Sequence, residues 1–229
     1  RPDRRGRGTG GIIVGRPFRF RSVAAPLNVV VLAAGQGKRM RSSLPKVLHP
    51  LAGKPMAAHV LDAARALGPR AIAVVVGHGA DQVRAALAAG DVAFALQDPP
   101  RGTGDAARVG LDVLPHDGVT LVTIGDIPLV PVEALARVVQ AAAHDQLAML
   151  TAKVPDPAGL GRIVRDGAGR VRAIVEERDA DDAQRRVDEI NTGVMAAPTV
   201  LLRKWAAMLR PDNAQKEFYL TDIVALACA

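Results

Sequence analysis

Cysteine occurs once in this chain, as Cys228, and aromatic residues make up only 3% of it. A single thiol cannot close an internal disulfide, which fits a reducing, cytoplasmic compartment better than a secreted scaffold. With so few aromatic rings, the core must be aliphatic, built from the Ala, Val, Leu and Ile that dominate the 49% hydrophobic content. Long apolar runs are also missing. None reaches the roughly 18 residues that a membrane-spanning helix needs, so no membrane partner is expected. His49, His59, His78, His116 and His144 are scattered and form no metal-ligand cluster. No nucleophile elbow accompanies a Ser-His-Asp set, and Cys228 lies near the last residue, so no covalent mechanism is indicated.

Charge is abundant but unevenly placed. Of the net +7, residues 1–26 contribute +6 through seven arginines (Arg1, Arg4, Arg5, Arg7, Arg16, Arg19, Arg21) against Asp3. The body is therefore nearly neutral, and the overall basicity says little about its partners. Residues 1–26 read as a disordered basic extension, rich in Arg and Gly. Such an arm could touch nucleic acid or anionic lipid non-specifically, and no specific nucleic-acid partner is expected. It lacks the apolar segment of a secretory signal. It also carries no initiator Met, which would fit a mistaken upstream start.

From Asn28 the chain alternates strand and helix. The apolar run Asn28–Leu32 predicts a buried first strand. Met56–Leu67 carries Ala57, Val60, Leu61, Ala64 and Leu67 at helical spacing, after a turn at Leu51–Pro55. Ala71–Val76, Val92–Leu96 and Val119–Ile124 read as further strands. Asp81–Ala88, Asp105–Leu114 and Glu133–Ala143 read as helices. This β-α repetition with short connections predicts an α/β fold with a doubly wound parallel sheet. Beyond about residue 150 the pattern becomes more antiparallel: a strand at Leu147–Val154, a hairpin of Ile163–Arg165 and Val171–Glu176, and a charged, exposed segment at Asp179–Arg186. A short strand at Ile190–Met195 and helices at Val200–Leu209 and Tyr219–Ala227 complete it. Residues 27–150 thus read as a nucleotide-binding half and residues 151–229 as an acceptor-binding half or lid.

In a parallel sheet, ligands gather beyond the carboxyl ends of the strands. Three strand-end loops carry polar or glycine-rich sequence: Gly35 to Lys46, Gln97 with Gly102-Thr103-Gly104, and Gly125-Asp126. In the first, Gly35 and Gly37 permit a tight turn whose N–H groups can cradle an anion, and Arg39 and Lys46 add two cations. Taken alone, such a turn often only joins strand to helix. It is neither a Walker A loop nor a dinucleotide fingerprint, since Met40 stands at the third glycine position. Asp126 is placed to hold Mg²⁺ on a polyphosphate, because Mg²⁺ favours one or two carboxylates plus phosphate oxygens and water. Gln97 carries both a donor and an acceptor and could read a base edge. Glu176 and Asn191 could bond sugar hydroxyls, although spacing alone leaves them equally readable as surface residues.

These motifs stand in an order that resembles the uridyltransferase domain of bacterial N-acetylglucosamine-1-phosphate uridyltransferase/glucosamine-1-phosphate acetyltransferase. They are Leu32-Ala-Ala-Gly-Gln-Gly-Lys-Arg-Met40, Leu44-Pro-Lys-Val-Leu-His49, Gly102-Thr-Gly, Gly125-Asp-Ile-Pro, Gly161-Arg-Ile, Glu189-Ile-Asn-Thr-Gly193 and Tyr219-Leu-Thr-Asp-Ile223. The resemblance runs from about Leu27 onward. It implies a Rossmann-like doubly wound mixed sheet of the sugar nucleotidyltransferase type. It also implies uridylyl transfer from UTP to N-acetylglucosamine 1-phosphate, giving UDP-N-acetylglucosamine and pyrophosphate for cell-envelope precursor synthesis. Under it, Leu32, Ala33, Ala34 and Gly35 hold the nucleotide, and Arg39 and Lys46 neutralise phosphates as catalytic residues. Gln97, Gly102 and Thr103 meet uracil, Asp126 binds Mg²⁺, and Gly125, Gly161, Glu176 and Asn191 meet the sugar. The chain departs from the family at Lys38, Asp105, Ile124 and Lys216, where Thr, His, Tyr and Gly are usual. The family's second metal ligand, an Asn, would fall beyond Ala229, and the trimer-forming acetyltransferase β-helix is not expected in these residues. Two other readings follow: transfer to another sugar 1-phosphate, or a chain that binds UTP without turnover.

Overall fold

The computed structural model describes residues 25–35, 37, 40, 42–142 and 146–229. The proposed basic extension therefore lies almost wholly outside the described residues.

One large sheet runs through the molecule in the spatial order Val92–Leu96, Ala71–Val76, Leu27–Ala33, Val119–Ile124, Glu189–Pro198, Arg162–Arg165 and Val171–Val175, with Ala148–Lys153 also paired to Glu189–Pro198. β1 (Leu27–Ala33) is its axis: all seven residues are buried, as a continuous apolar run covered on both faces requires. It pairs in parallel with β4 (Ala71–Val76) and β6 (Val119–Ile124). β4 pairs in parallel with β5 (Val92–Leu96). The registers Ala33↔Val76, Val76↔Leu96 and Leu32↔Ile124 bring four carboxyl ends to one edge.

Alternation along β1 sorts its side chains to two aliphatic cores. Val29, Val31 and Ala33 pack with Val60 and Leu61 of α1 (Met56–Arg65), Val83 of α2 (Ala80–Leu87), and Leu135 and Val139 of α4 (Val132–Ala142). Val30 and Leu32 pack on the opposite face with Ala107 and Leu111 of α3 (Thr103–Asp112) and Leu202 of α6 (Thr199–Met208). This is the doubly wound arrangement expected from the sequence.

The second half joins the same sheet in antiparallel sense. β10 (Glu189–Pro198) lies between β6 and β7 (Ala148–Lys153) at Met195, and between β7 and β8 (Arg162–Arg165) at Ile190. β8 and β9 (Val171–Val175) form the expected hairpin. β10 continues three residues past the predicted strand, because Ala196-Ala197-Pro198 has little β-propensity but finds partners in β6. The Leu51–Pro55 turn is the tip of a small β2 (Pro50–Leu51) and β3 (Lys54–Pro55) ladder. The charged segment near residue 180 forms one turn, α5 (Asp182–Arg185), held by a capping box between Asp181 and Gln184. The last predicted helix is divided into a 3-10 turn at Leu220–Asp222 and α7 (Ile223–Cys228). No helix among the described residues is long and apolar enough to cross a membrane.

A buried polar knot closes the sheet at the edge where β1 begins. Asn28, fully buried, donates to Asp117 O at 2.9 Å, and Thr199 Oγ1 lies 2.8 Å from Thr120 Oγ1. The opposite edge is left for loops.

α3 approaches the sheet closely because Gly110 has no side chain. A Cβ there would lie 2.7 Å from both Val30 Cγ1 and Val75 Cγ2. Alanine adds up to about 1 kcal/mol of helix propensity, but overpacking costs about 1–3 kcal/mol. Gly110→Ala is therefore expected to lower the urea midpoint; an unchanged or raised midpoint would refute this packing argument.

Candidate active site

The loop after β1 is braced from below. Gly77 lets the β4 turn meet it: a Cβ on Gly77 would sit 3.0 Å from Ala34 O. Pro45 is buried against Gly79, and the 3-10 turn Lys46–Leu48 anchors itself through buried Val47 and Leu48. That anchoring fixes the base of the Lys46 side chain. Gly37 has φ +59, and a Cβ on it would stand 2.7 Å from Lys46 Cβ. Both the left-handed conformation and the crowding demand glycine there.

β6 delivers the opposite wall. Gly125 N–H donates to Leu32 O at 2.9 Å, which continues the β1–β6 alignment past the strand. The next residue is Asp126, whose Oδ2 lies 2.5 Å from Lys46 Nζ. Lys46 is 42% exposed and Asp126 18%, so both remain reachable. Two cavities meet here. One, of about 530 Å³, is lined by Leu32, Gly35, Gly37, Met40, Lys46, Val47, Ile124 and Asp126. The other, of about 510 Å³, shares Leu32, Gly35, Gly37 and Ile124 and extends to Ala34, Gln97, Pro100, Gly102, Thr103, Ala106 and Glu217. The shared lining makes them one crevice beyond the strand ends.

The structure brings together Leu32, Ala34, Gly35, Lys46, Gln97, Gly102, Thr103 and Asp126 in this crevice. Ala33 is different: its side chain packs in the core on the other face of β1, so only its backbone belongs to the loop. Gly125 is buried behind Asp126, where its missing Cβ leaves 3.2 Å to Val47 Cγ1. Arg39 and Lys38 lie outside the described residues. His78 lines neither cavity.

Gln97 departs from the expectation of a side chain offering donor and acceptor together. Its Nε2 donates to Gly102 O and Asp105 Oδ2, both at 3.0 Å, so its two N–H groups are engaged within the protein. Thr103 Oγ1 likewise accepts Leu220 N–H at 3.0 Å. Burial pushes the Asp105 carboxyl upward. Hydrogen bonds from Gln97 and Arg101, with the charges of Arg101 and Arg108, outweigh it and hold the group below its ordinary range.

Gly161, Glu176 and Asn191 form a second group. Asn191 N–H donates to Gly161 O at 2.8 Å, and a Cβ on Gly161 would lie 3.3 Å from both Glu176 carboxylate oxygens. The Asn191 Oδ1 turns back to accept Gly193 N–H at 3.0 Å. None of the three lines either cavity, but two contacts connect them to it. Thr221 donates to Glu176 Oε1 at 3.0 Å, one residue after Leu220 reaches Thr103. A Cβ on Gly193 would collide with Ile124 Cδ1, which borders both cavities. Burial raises the Glu176 carboxyl, and Asp179 adds to the rise against the Thr221 bond. Asp222 is raised by burial and by Glu176 and Asp179.

The sequence reading gave no site role to Glu217, Pro100 or Met40, or to the loop that carries Glu217. That loop is organised by Asn213, whose Oδ1 accepts from Gln215 and Glu217 N–H at 3.2 Å each. It docks on the start of α3 through Phe218 O, which accepts Gly104 N–H at 2.7 Å, and on the loop before α3 through Phe218 N–H, which donates to Arg101 O at 2.8 Å. An Asn followed by several polar residues signals such a turn, but nothing local says which wall it will form.

A sequence profile for the MobA-like NTP transferase domain matches residues 29–208. The chain belongs to this family. Among curated proteins, bifunctional protein GlmU of Paraburkholderia phymatum is 55% identical over 201 residues, which is 88% of this chain and 44% of GlmU. GlmU of Azoarcus sp. is 57% identical over 203 residues, covering 89% and 45%. The chain thus spans less than half the length of these relatives. A solved UDP-glucose pyrophosphorylase, complexed with UDP-glucose, superposes with a TM-score of 0.67 at 15% identity, covering 89% of this chain and 86% of that one. It supports the nucleotidyltransferase-type mixed sheet, as the family assignment does.

Glu189 ties the NTP transferase sheet together beside Asn191. It receives Arg165 Nε and Nη2 at 2.8 and 2.7 Å, and Thr151 Oγ1 at 2.8 Å. The Arg165 bonds, against some burial and with help from Thr151 and Lys153, pull its carboxyl down to about 2. A depressed carboxylate stabilises the fold above its unfolded pKa and loses that contribution as pH falls through the folded value. Arg165 is 41% exposed, so screening reduces the effect. Glu189→Gln should cost about 1–2 kcal/mol at pH 7, with the difference shrinking between pH 4.5 and 2. Urea titrations across that range check it, and a pH-independent difference would contradict it.

Proposed function

We propose that the chain catalyses uridylyl transfer from UTP to N-acetylglucosamine 1-phosphate, releasing pyrophosphate. The observation that carries this reading is the Lys46–Asp126 pair across the crevice, 2.5 Å apart at the ends of the two central strands. A partly exposed cation and a carboxylate beside a glycine turn are suited to a polyphosphate and its metal. The similarity to GlmU at over 50% identity favours the uridyltransferase reaction implied by the motifs.

In this reading the backbone from Leu32 to Gly35 lies along the nucleotide, and Gln97, Gly102 and Thr103 face the base. Lys46, with Arg39, neutralises phosphate charge. Among the described residues no three His, Cys, Asp or Glu gather to hold a metal. Asp126 alone suits Mg²⁺, whose remaining positions phosphate oxygens and water would fill. Bound there, Mg²⁺ would neutralise charge on the phosphates. Gly161, Glu176 and Asn191 orient the sugar phosphate, so that its phosphate oxygen attacks the α-phosphorus of UTP in line. The rate then comes from positioning and from charge stabilisation, without a covalent enzyme intermediate.

Pyrophosphate release from UTP and N-acetylglucosamine 1-phosphate tests the proposal. Asp126→Ala is expected to abolish magnesium-dependent release. Lys46→Ala should lower kcat/KM by about 10²–10³-fold, the scale for losing one preorganised charge-stabilising group. Release with a different sugar 1-phosphate but not with this one would redirect the acceptor assignment. UTP binding without any release would reduce the chain to a nucleotide-binding module.

A further inference from the structure

Asp105 is buried at the N-terminal turn of α3, with 1% of its side chain exposed, although it touches no open part of the crevice in the reading above. Its Oδ1 receives Arg101 at 3.1 Å and Arg108 at 2.6 Å. Its Oδ2 receives Gln97 Nε2 at 3.0 Å. The two arginines are half exposed and keep the carboxylate ionised, so it has no proton to offer. Gly102 O, the other partner of Gln97, is likewise a pure acceptor. An amide set between two acceptors can present only its nitrogen to them. Gln97 lines the cavity, and the group it has left for a ligand is its carbonyl oxygen.

A lone acceptor discriminates between bases. Uracil carries N3–H between two carbonyls and can donate to it. Cytosine in the same pose presents a bare N3 lone pair, and two lone pairs repel. A free amide could rotate to serve either base; a locked one cannot.

We propose that Asp105 is the positioning residue for base selection, holding the Gln97 amide so that the crevice accepts uracil and rejects cytosine. The inference rests on the uridine-nucleotide reading and deepens it. It also gives a role to a residue at which this chain departs from the resemblance.

The test is direct binding of UTP and CTP, each with Mg²⁺, to the full chain by titration calorimetry. Asp105→Asn preserves shape but can offer Gln97 either a donor or an acceptor. It should reduce the UTP-over-CTP affinity ratio about tenfold, the upper scale of one net hydrogen bond between neutral groups, mainly by tighter CTP binding. Gln97→Leu should reduce the ratio similarly, and adding Asp105→Asn to it should change nothing further, since the effect passes through Gln97. Asp105→Ser, equally ambivalent as a partner, serves if Asp105→Asn fails to fold. A purely structural role would weaken both nucleotides alike and leave the ratio intact; that result overturns the inference while the uridine reading stands. An equal effect of Asp105→Asn in the Gln97→Leu background also overturns it. Unmutated chain with no preference for UTP would overturn the uridine reading, and this inference with it.

Discussion

Parallel pairing of β1 with β4 on one side and β6 on the other is the constraint from which the site follows. A parallel neighbour must re-enter the sheet in the same direction, so every carboxyl end faces one edge and every helix returns the chain to the other. The glycine loop, the Gln97 turn and Asp126 lie 60 or more positions apart in part, yet need no long-range device to meet. The sheet places them. The aliphatic alternation along β1 fixes which way it faces. A one-residue slip would exchange Val29, Val31 and Ala33 with Val30 and Leu32 and mismatch both cores.

Within that frame the site is assembled by what side chains leave out. Gly37 makes way for the Lys46 side chain, Gly77 for Ala34, Gly125 for Val47, and Gly193 for Ile124. Each absence brings two backbone segments closer than any larger residue would permit. Polar atoms are then largely satisfied by the protein before a ligand arrives: Gln97 by Gly102 and Asp105, Thr103 by Leu220, Asn191 by Gly193. A site so arranged requires little reordering when it binds, which favours affinity and orientation.

Much of this could be read from the residues. The strand–helix alternation, the two-sided burial of β1 and the convergence of three strand-end loops follow from apolar patterning and the rule for parallel sheets. The carboxylate of Asp126 and the cation of Lys46 were recognisable because their chemistry is explicit in their types. What could not be read depends on contacts distant in sequence. The extension of β10 through Pro198 is dictated by β6, not by its own composition. The engagement of both Gln97 N–H groups needs Asp105 eight positions away to fold back through the helix turn. The wall made by Glu217 depends on Phe218 meeting Arg101 and Gly104. Glu176 and Asn191 were ambiguous by spacing because their relation to Gly161 arises only when β9 and β10 pair on either side of β8.

The irregularity in β10 has a mechanical meaning. Between Asn191 and Met195 the pairing with β7 shifts, so that four steps along β10 correspond to two along its neighbour. Thr192, Gly193 and Val194 therefore bulge from the ladder, and side chains take over the bonding there: Thr192 Oγ1 donates to Leu150 O at 2.7 Å, and Asn191 Oδ1 accepts Gly193 N–H at 3.0 Å. The bulge lets one strand pass from β6, which it meets at Met195, to β8, which it meets at Ile190, without a break in the chain. The strand thus works as a splice, joining the parallel sheet of β1 and β6 to the β8–β9 hairpin through one continuous backbone.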